Sequence, residues 1–232
     1  SNMNLSSIIA ARHRATAGID ADVSAFATES GATDLTGLNN LVVYLKAQSL
    51  YSNFVIYPMK SAQNAGSGAT VYSLGGITTN DMTLVNSPTW GASGLAFNGT
   101  NQAGRISDYT GGGSQTVFAR VSDQTEPPDG SGDGVWGQYD SGASARSAMI
   151  FSYGTSQPAG TSQLALLRSS NGSTVDIYLE DRAPNWSTDS CRVAEWTDAG
   201  GRKGWIDKAE DTLSLVLGSA QTSRLNTAID LT

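Results

Sequence analysis

Between Asp20 and Tyr57 the apolar residues fall at helical spacing. Val23 and Phe26 stand three apart in a short stretch closed by Gly31, and Leu38, Leu41, Val42 and Leu45 follow at intervals of three and four. This pattern predicts two short helices. Asp22 and Thr36 are the expected N-caps, since their side-chain oxygens can accept from the free amides of a first turn, and Gly31 suits a left-handed C-terminal position. The second helix is expected to end near Tyr51, before the extended Val55-Ile56-Tyr57-Pro58. After Pro58 the period changes to two, and Gly, Asn, Asp and Ser punctuate the chain at the intervals of an all-β sandwich. Strands are predicted at 70–73, 82–86, 94–98, 103–106, 116–122, 135–139, 148–153, 163–168, 174–181, 191–196, 203–207 and 213–217. No helical pattern separates them, so the crossovers of a parallel sheet are missing and antiparallel pairing is favoured. The expected architecture is an arm with two short helices over 1–57 and an antiparallel β-sandwich over 58–232.

The stretch 174–181 alternates most cleanly. Val175, Ile177 and Leu179 fall on one face, and Thr174, Asp176, Tyr178 and Glu180 on the other. The first face reads as core and the second as wet or ligand-facing.

Composition narrows the chemistry. The 232 residues include one Cys and one His, 14 Lys and Arg against 21 Asp and Glu, and a net charge of −7. A single Cys191 forms no intramolecular disulfide, and its place beside Val193 at the start of a strand reads as a buried, inert thiol. The lone His13, in a run that reads as an exposed arm, leaves no material for a Ser-His-Asp triad, a Cys-His pair or a His-rich metal site. The sparse cations form no stripe able to displace counterions from a phosphate backbone, which argues against nucleic acid. Apolar runs are too short to insert into a membrane, and residues 6–17 lack the apolar core of a signal peptide. Ser1 and Asn2 before Met3 read as a cloning remnant.

The succession Asp20-Ala21-Asp22-Val23-Ser24-Ala25-Phe26, Gly31-Ala32-Thr33-Asp34, Leu41-Val42-Val43-Tyr44-Leu45-Lys46, Tyr57-Pro58-Met59 resembles the N-terminal helical segment of bacteriophage tail-associated structural proteins. Leu84-Val85-Asn86-Ser87-Pro88-Thr89-Trp90 and Gly94-Leu95-Ala96-Phe97-Asn98-Gly99-Thr100-Asn101 look like early strands of their concanavalin A-like, laminin-G-like jelly roll, and Gly204-Trp205-Ile206-Asp207-Lys208 is similar to a late hairpin of such domains. Asp207-Lys208 departs from the usual Asn-Gly turn of that hairpin. The resemblance implies a last strand pairing beside the first, supplied by 225–231 unless the chain is trimmed. It further implies a virion tail or prophage origin and a structural or adhesive role.

Three constellations are candidates for chemistry or binding. Asp176-Ile177-Tyr178-Leu179-Glu180 is the nearest match to the carboxylate-bearing strand of jelly-roll glycosidases. However, Asp176 and Glu180 lie four residues apart, about 13 Å along a strand, where a retaining pair needs about 5–5.5 Å and an inverting pair about 6.5–9.5 Å. The expectation is that the protein is not an enzyme. Asp129-Gly130-Ser131-Gly132-Asp133-Gly134-Val135-Trp136-Gly137-Gln138-Tyr139-Asp140 has the residue order of a calcium loop. Its candidate ligands are Asp129, Ser131, Asp133 and Asp140, with Gly134 at the sharp turn, yet no helices flank it. Calcium is the one cofactor considered, and the alternative is a Gly-rich β-connection with solvent-facing acids. Third, sugars present C–H faces that stack on Trp or Tyr while Asp and Asn fix the hydroxyls. Trp186 with Asn185, Trp136 and Tyr139 near Asp133 and Asp140, and Tyr178 with Asp176 are the candidates for carbohydrate. Trp90, Trp196 and Trp205 read instead as core or sheet-edge residues.

The function expected is a non-catalytic phage or prophage tail module, structural or adhesive, whose partners are a cell-surface glycan or other virion proteins. Two other readings stay open: a purely structural virion component docking through its helical segment, and a polysaccharide-cleaving enzyme using Asp176 and Glu180.

Overall fold

The computed structural model describes residues 18–77, 81–107, 115–122, 132–140, 145–153, 163–169, 175–180, 190–196, 202–206, 209–211, 213–217 and 229–231, with side chains over 18–77, 81–107 and 116–122. These residues are strand-rich, with antiparallel pairing throughout the sheets described below and two helices near the N-terminus. The chain divides into two compact units, Ser1–Asn98 and Gly99–Thr232.

In the first unit, α1 (Ala21–Ser30) and α2 (Thr36–Ala47) are followed by a 3-10 turn, Tyr51–Asn53. Short strands follow: β1 (Val55–Ile56), β2 (Thr70–Val71), β3 (Leu74–Gly75), β4 (Met82–Val85), β5 (Thr89–Trp90) and β6 (Leu95–Ala96). β1 pairs with β3, β2 with β4, and β5 with β6. The helical periodicity is realised: Val23 and Phe26 of α1 and Leu38, Val42 and Leu45 of α2 are buried, while Leu41 is only partly so. Val23, Phe26, Leu38 and Val42 join Ala32 and Leu74 in one core, with Leu35, Tyr51 and Tyr72 packed at its margin.

Both expected N-caps are displaced. Asp20 caps α1, its Oδ1 accepting from the Asp22 amide at 3.0 Å, and Asp22 instead sits in the first turn. The earlier start places both acids at the positive end of the helix, where Lys46 reaches them together. Thr36 is already helical, and the cap of α2 is Leu35, which makes no side-chain hydrogen bond. Tertiary bonds hold that entry instead: the amides of Thr33 and Asp34 both donate to the Ala62 carbonyl, at 2.9 and 2.8 Å, and Gln63 donates to Asp34 Oδ2. Gly31 takes the expected left-handed conformation (φ 74°), its amide donating to the Ala27 carbonyl. β4 stops at Val85 because Asn86 and Ser87 turn to positive φ (56° and 54°). Asn64, 1% exposed, fixes the following loop, its amide oxygen accepting from the Ala65 and Tyr72 amides and its nitrogen donating to the Tyr72 carbonyl.

The second unit contains β7 (Ala103–Ile106), β8 (Gln115–Val121), β9 (Gly132–Asp140), β10 (Ala145–Tyr153), β11 (Gln163–Ser169), β12 (Val175–Glu180), β13 (Ser190–Trp196), β14 (Arg202–Ile206), β15 (Ala209–Asp211), β16 (Leu213–Leu217) and β17 (Ile229–Leu231). One sheet runs β16-β12-β11-β10-β9-β17-β7 and another β15-β14-β13-β8. The C-terminal strand β17 returns to lie between β7 and β9, pairing Ile229 with Ile106 on one side and with Gln138 on the other. The predicted strands from 103 onward coincide closely with β7 to β14 and β16. β15 was not foreseen, because its Glu210-Asp211 reads as turn chemistry, and the residue pattern has no alternation in so short a segment.

Candidate functional site

Trp186, Asn185, Asp129 and Ser131 lie outside the described residues. The remaining candidates fall on strands, and register decides which share a face. Asp176, Tyr178 and Glu180 are alternate residues of β12, hence on one face. Tyr178 stands opposite Leu166 of β11 and Leu215 of β16, Asp176 opposite Arg168, and Glu180 opposite Leu213. Leu166 in turn pairs with Ile150, and Ile150 with Trp136. Trp136 and Tyr178 therefore belong to one cross-strand row, three strand spacings or about 14 Å apart, with Leu166 and Ile150 between them.

The same alternation fixes which face this row occupies. Gln138, two residues from Trp136, pairs with Ile229, which pairs with Ile106. Ile106 is 1% exposed while its neighbour Arg105 is exposed. Trp136 and Tyr178 thus share the face that is buried at β7. Tyr139, one residue out of phase with Gln138, falls on the opposite face and pairs with Arg146.

The calcium-like segment is not one loop. Residues 132–140 are β9, paired with β10 from Gly132 opposite Tyr153 to Asp140 opposite Ala145. Asp133 and Asp140 stand seven residues apart on an extended strand, about 23 Å at 3.3 Å per residue, whereas the ligands of one calcium gather at about 2.3–2.6 Å from it. Strand pairing won here because Val135, Trp136 and Tyr139 supply β-forming residues among the glycines. Among the described residues, no group of three or more His, Cys, Asp or Glu is arranged to hold a metal ion. Asp176 and Glu180, on one unbroken strand, keep the separation of about 13 Å expected from sequence.

Trp90 takes the sheet-edge role expected of it, half-buried in β5 with its indole donating to the Gly68 carbonyl at 3.1 Å. Cys191 stands opposite Arg120, and Thr116, Phe118 and Arg120 form the exposed face of β8. By register Cys191 and Val193 share one face of β13, the face of Arg120 and Phe118 at β8.

The best-defined electrostatic cluster is one the sequence pattern did not single out. Lys46 Nζ lies 2.7 Å from Asp20 Oδ1 and 2.6 Å from Asp22 Oδ2, and 4.9 Å from the centre of the Tyr51 ring. The Lys46 hydrogen bond, with help from the Asp22 and Val23 amides, holds the Asp20 carboxyl below its usual value of 3.8 against the opposing effect of burial. The two carboxylates in turn raise Lys46, and burial raises the Tyr51 hydroxyl. The signal available in sequence was Asp-x-Asp, since a cap and a first-turn acid both seek a cation. The cluster ties the start of α1 to the end of α2, its one cation held between two carboxylates, and so acts as a staple.

Asp20→Ala is expected to lower stability by about 0.5–2 kcal/mol, and more than Asp22→Ala, because only Asp20 is both cap and ion-pair partner. Equal losses in denaturant melts would reject the cap assignment. A carboxyl lowered on folding stabilises above its unfolded value and loses that contribution as pH falls through its folded value. Wild type should therefore lose this increment only below the usual carboxylate range, and Lys46→Gln should shrink the acid-dependent part of the melt. The raised lysine is the mirror case, its contribution intact below its ordinary value and lost only in stronger alkali. The chain matches no protein-family model and no curated protein.

Proposed function

We propose that this protein is a non-catalytic structural or adhesive module of a bacteriophage or prophage tail, built on a concanavalin A-like jelly-roll sandwich and binding cell-surface carbohydrate. The observation that carries the reading is the return of β17 to pair beside β7. β7 is the first strand of the second unit, so a last strand returning beside it supports the closing strand that the resemblance implies, with Ile229–Leu231 as its described part. Two antiparallel sheets in the second unit and a helical segment ahead of them are consistent with the same architecture.

The absence of turnover is supported by the separation of Asp176 and Glu180, beyond both glycosidase geometries, and by the register of Asp176 against Arg168. Since Trp136 and Tyr178 share the face of the buried Ile106, the sugar contact is given first to Trp186 with Asn185, whose Pro-containing polar surroundings read as a loop in the sequence. A purely structural role in the virion is the second reading, favoured by the exposed Val43 and Tyr44 of α2, 48% and 60% accessible, as a face for a neighbouring virion protein.

A glycan array separates them. Labelled wild type should bind a narrow set of glycans, and Trp186→Ala should weaken that binding by about tenfold or more, as for a stacked aromatic anchor. Failure of wild type to bind any glycan at high concentration would leave the virion-assembly reading. Release of reducing ends from a polysaccharide, abolished by Asp176→Asn or Glu180→Gln, would overturn the non-catalytic assignment.

A further inference from the structure

We propose that Asn98-Gly99 is a site of spontaneous deamidation, at which the folded chain converts an asparagine to aspartate and isoaspartate. Among the described residues Asn98 is the one asparagine followed by glycine. Both residues are exposed and lie outside any helix or strand, after β6 and before β7. Gly99 has a φ of 65°, and no atom lies within 4 Å of a Cβ added there. Its amide makes no hydrogen bond among the described residues. The attacking nitrogen is therefore uncommitted, unshielded by a side chain and already attached to the residue it attacks, an arrangement that favours an intramolecular step.

The Gly99 nitrogen attacks Cγ of Asn98 and passes its proton to solvent. A bond forms between that nitrogen and Cγ, the Cγ–Nδ2 bond breaks, and the side-chain amide leaves as ammonia. Water then opens the cyclic imide at either carbonyl, which yields aspartate or, with the main chain rerouted through Cγ, isoaspartate. A water is consumed and an ammonia released, with no change of oxidation state. Asn98 takes part in an interaction within the chain, and the step does not require it to be free, because the attack comes at Cγ from the next residue.

The other described asparagines lack this combination. Asn39 and Asn40 lie in α2, where the following amides are committed to the helix. The amide after Asn53 donates to the Tyr51 carbonyl at 3.1 Å. Asn64 is 1% exposed, and the Ala65 amide that would attack it is held by its own Oδ1 at 2.8 Å. Asn86 and Asn101 are followed by Ser87 and Gln102, whose Cβ atoms restrict the approach that glycine allows. The product adds a negative charge to a chain of −7. Isoaspartate also lengthens the main chain by a carbon at the step where the first compact unit ends, at Asn98, and the second begins, at Gly99.

The test is tandem mass spectrometry of the full chain, held folded in mildly alkaline buffer and digested at intervals, with isoaspartyl methyltransferase labelling to report the isoaspartate. Asn98 should convert about tenfold or more faster than Asn53, Asn64, Asn86 or Asn101, and faster still as the buffer is made more alkaline. Gly99→Ala should slow the conversion by about tenfold. Asn98→Gln, whose longer side chain closes the imide less readily, should nearly abolish it while leaving Gly99 in place. Circular dichroism melts of each variant check that folding is retained. Conversion at Asn98 no faster than at Asn86, a rate indifferent to Gly99→Ala, or a rate in the folded chain about tenfold below that of the urea-unfolded chain would each overturn the proposal.

Discussion

Phe26→Ala should remove about 3–5 kcal/mol of stability, the cost of truncating a buried aromatic whose surroundings relax only in part. Phe26 is 4% exposed and is packed with Val23, Ala32, Leu38, Val42 and Leu74, the group that joins both helices to β3. The loss falls on a unit whose described strands are two to four residues long, so few ladder bonds compensate. Against a typical total of about 5–15 kcal/mol, the helical signal in circular dichroism should melt at markedly lower denaturant. Phe26→Leu, which keeps most of the volume, should recover a large part of the loss. A change below about 1 kcal/mol for Phe26→Ala would mean that the helices are not held by this core.

Gly75→Ala is expected to be nearly as damaging, for a different reason. A Cβ at Gly75 would meet the Phe54 carbonyl and come within 2.7 Å of Val55 Cα, all of it backbone. At Gly76 a Cβ would meet the Tyr51 carbonyl and lie 2.6 Å from Ser52 Cα. Main chain cannot swing aside as a flexible side chain can, so β1 must move away from β3. Overpacking of this kind costs about 1–3 kcal/mol, and here it also strains the bonds from the Gly76 amide to the Tyr51 and Phe54 carbonyls. Hydrogen exchange should show faster exchange of the amides in Val55–Ile56 and at Gly76 in the variant. Gly68→Ala serves as the control for space: no atom lies within 4 Å of its added Cβ, and only its φ of 75° is unfavourable. If Gly75→Ala exchanged at those amides no faster than wild type, the close approach of β1 and β3 would be refuted.

These two positions show where the sequence was legible and where it was not. The periodicity of Val23, Phe26, Leu38, Val42 and Leu45 pointed to the buried residues of both helices, because a helix must turn a stripe inward every third or fourth residue. Gly75-Gly76 carries no such signal: glycine marks any turn or close approach, and only the neighbouring backbone says which. The caps behave likewise. The sequence pattern favoured Asp22 as a local acceptor, whereas the fold uses Asp20, whose amide donates to Asn39 Oδ1 and whose carboxylate shares Lys46 with Asp22.

For the candidate site the division is sharper. Residue types and local alternation were enough to name Asp176, Tyr178, Trp136 and the acids of 129–140 as chemistry-bearing, and to place Asp176 and Glu180 too far apart for glycosidase geometry. Strand alternation tells only that Tyr178 and Ile177 face opposite ways, since both choices of inside satisfy the same period of two. Pairing across six strands, from Tyr178 through Leu166 and Ile150 to Trp136 and from Gln138 through Ile229 to Ile106, is what assigns Tyr178 to the face that is buried at β7. Within the calcium-like spacing, pairing with β10 extends the strand expected at 135–139 to 132–140, while Asp129 and Ser131 lie outside the described residues. Local sequence thus located both helices and the longer strands, an outcome governed by near neighbours, but not the short β3, β5 and β15. Which face is inner and which cap is used depend on residues far apart in the chain, and only the folded arrangement brings those together.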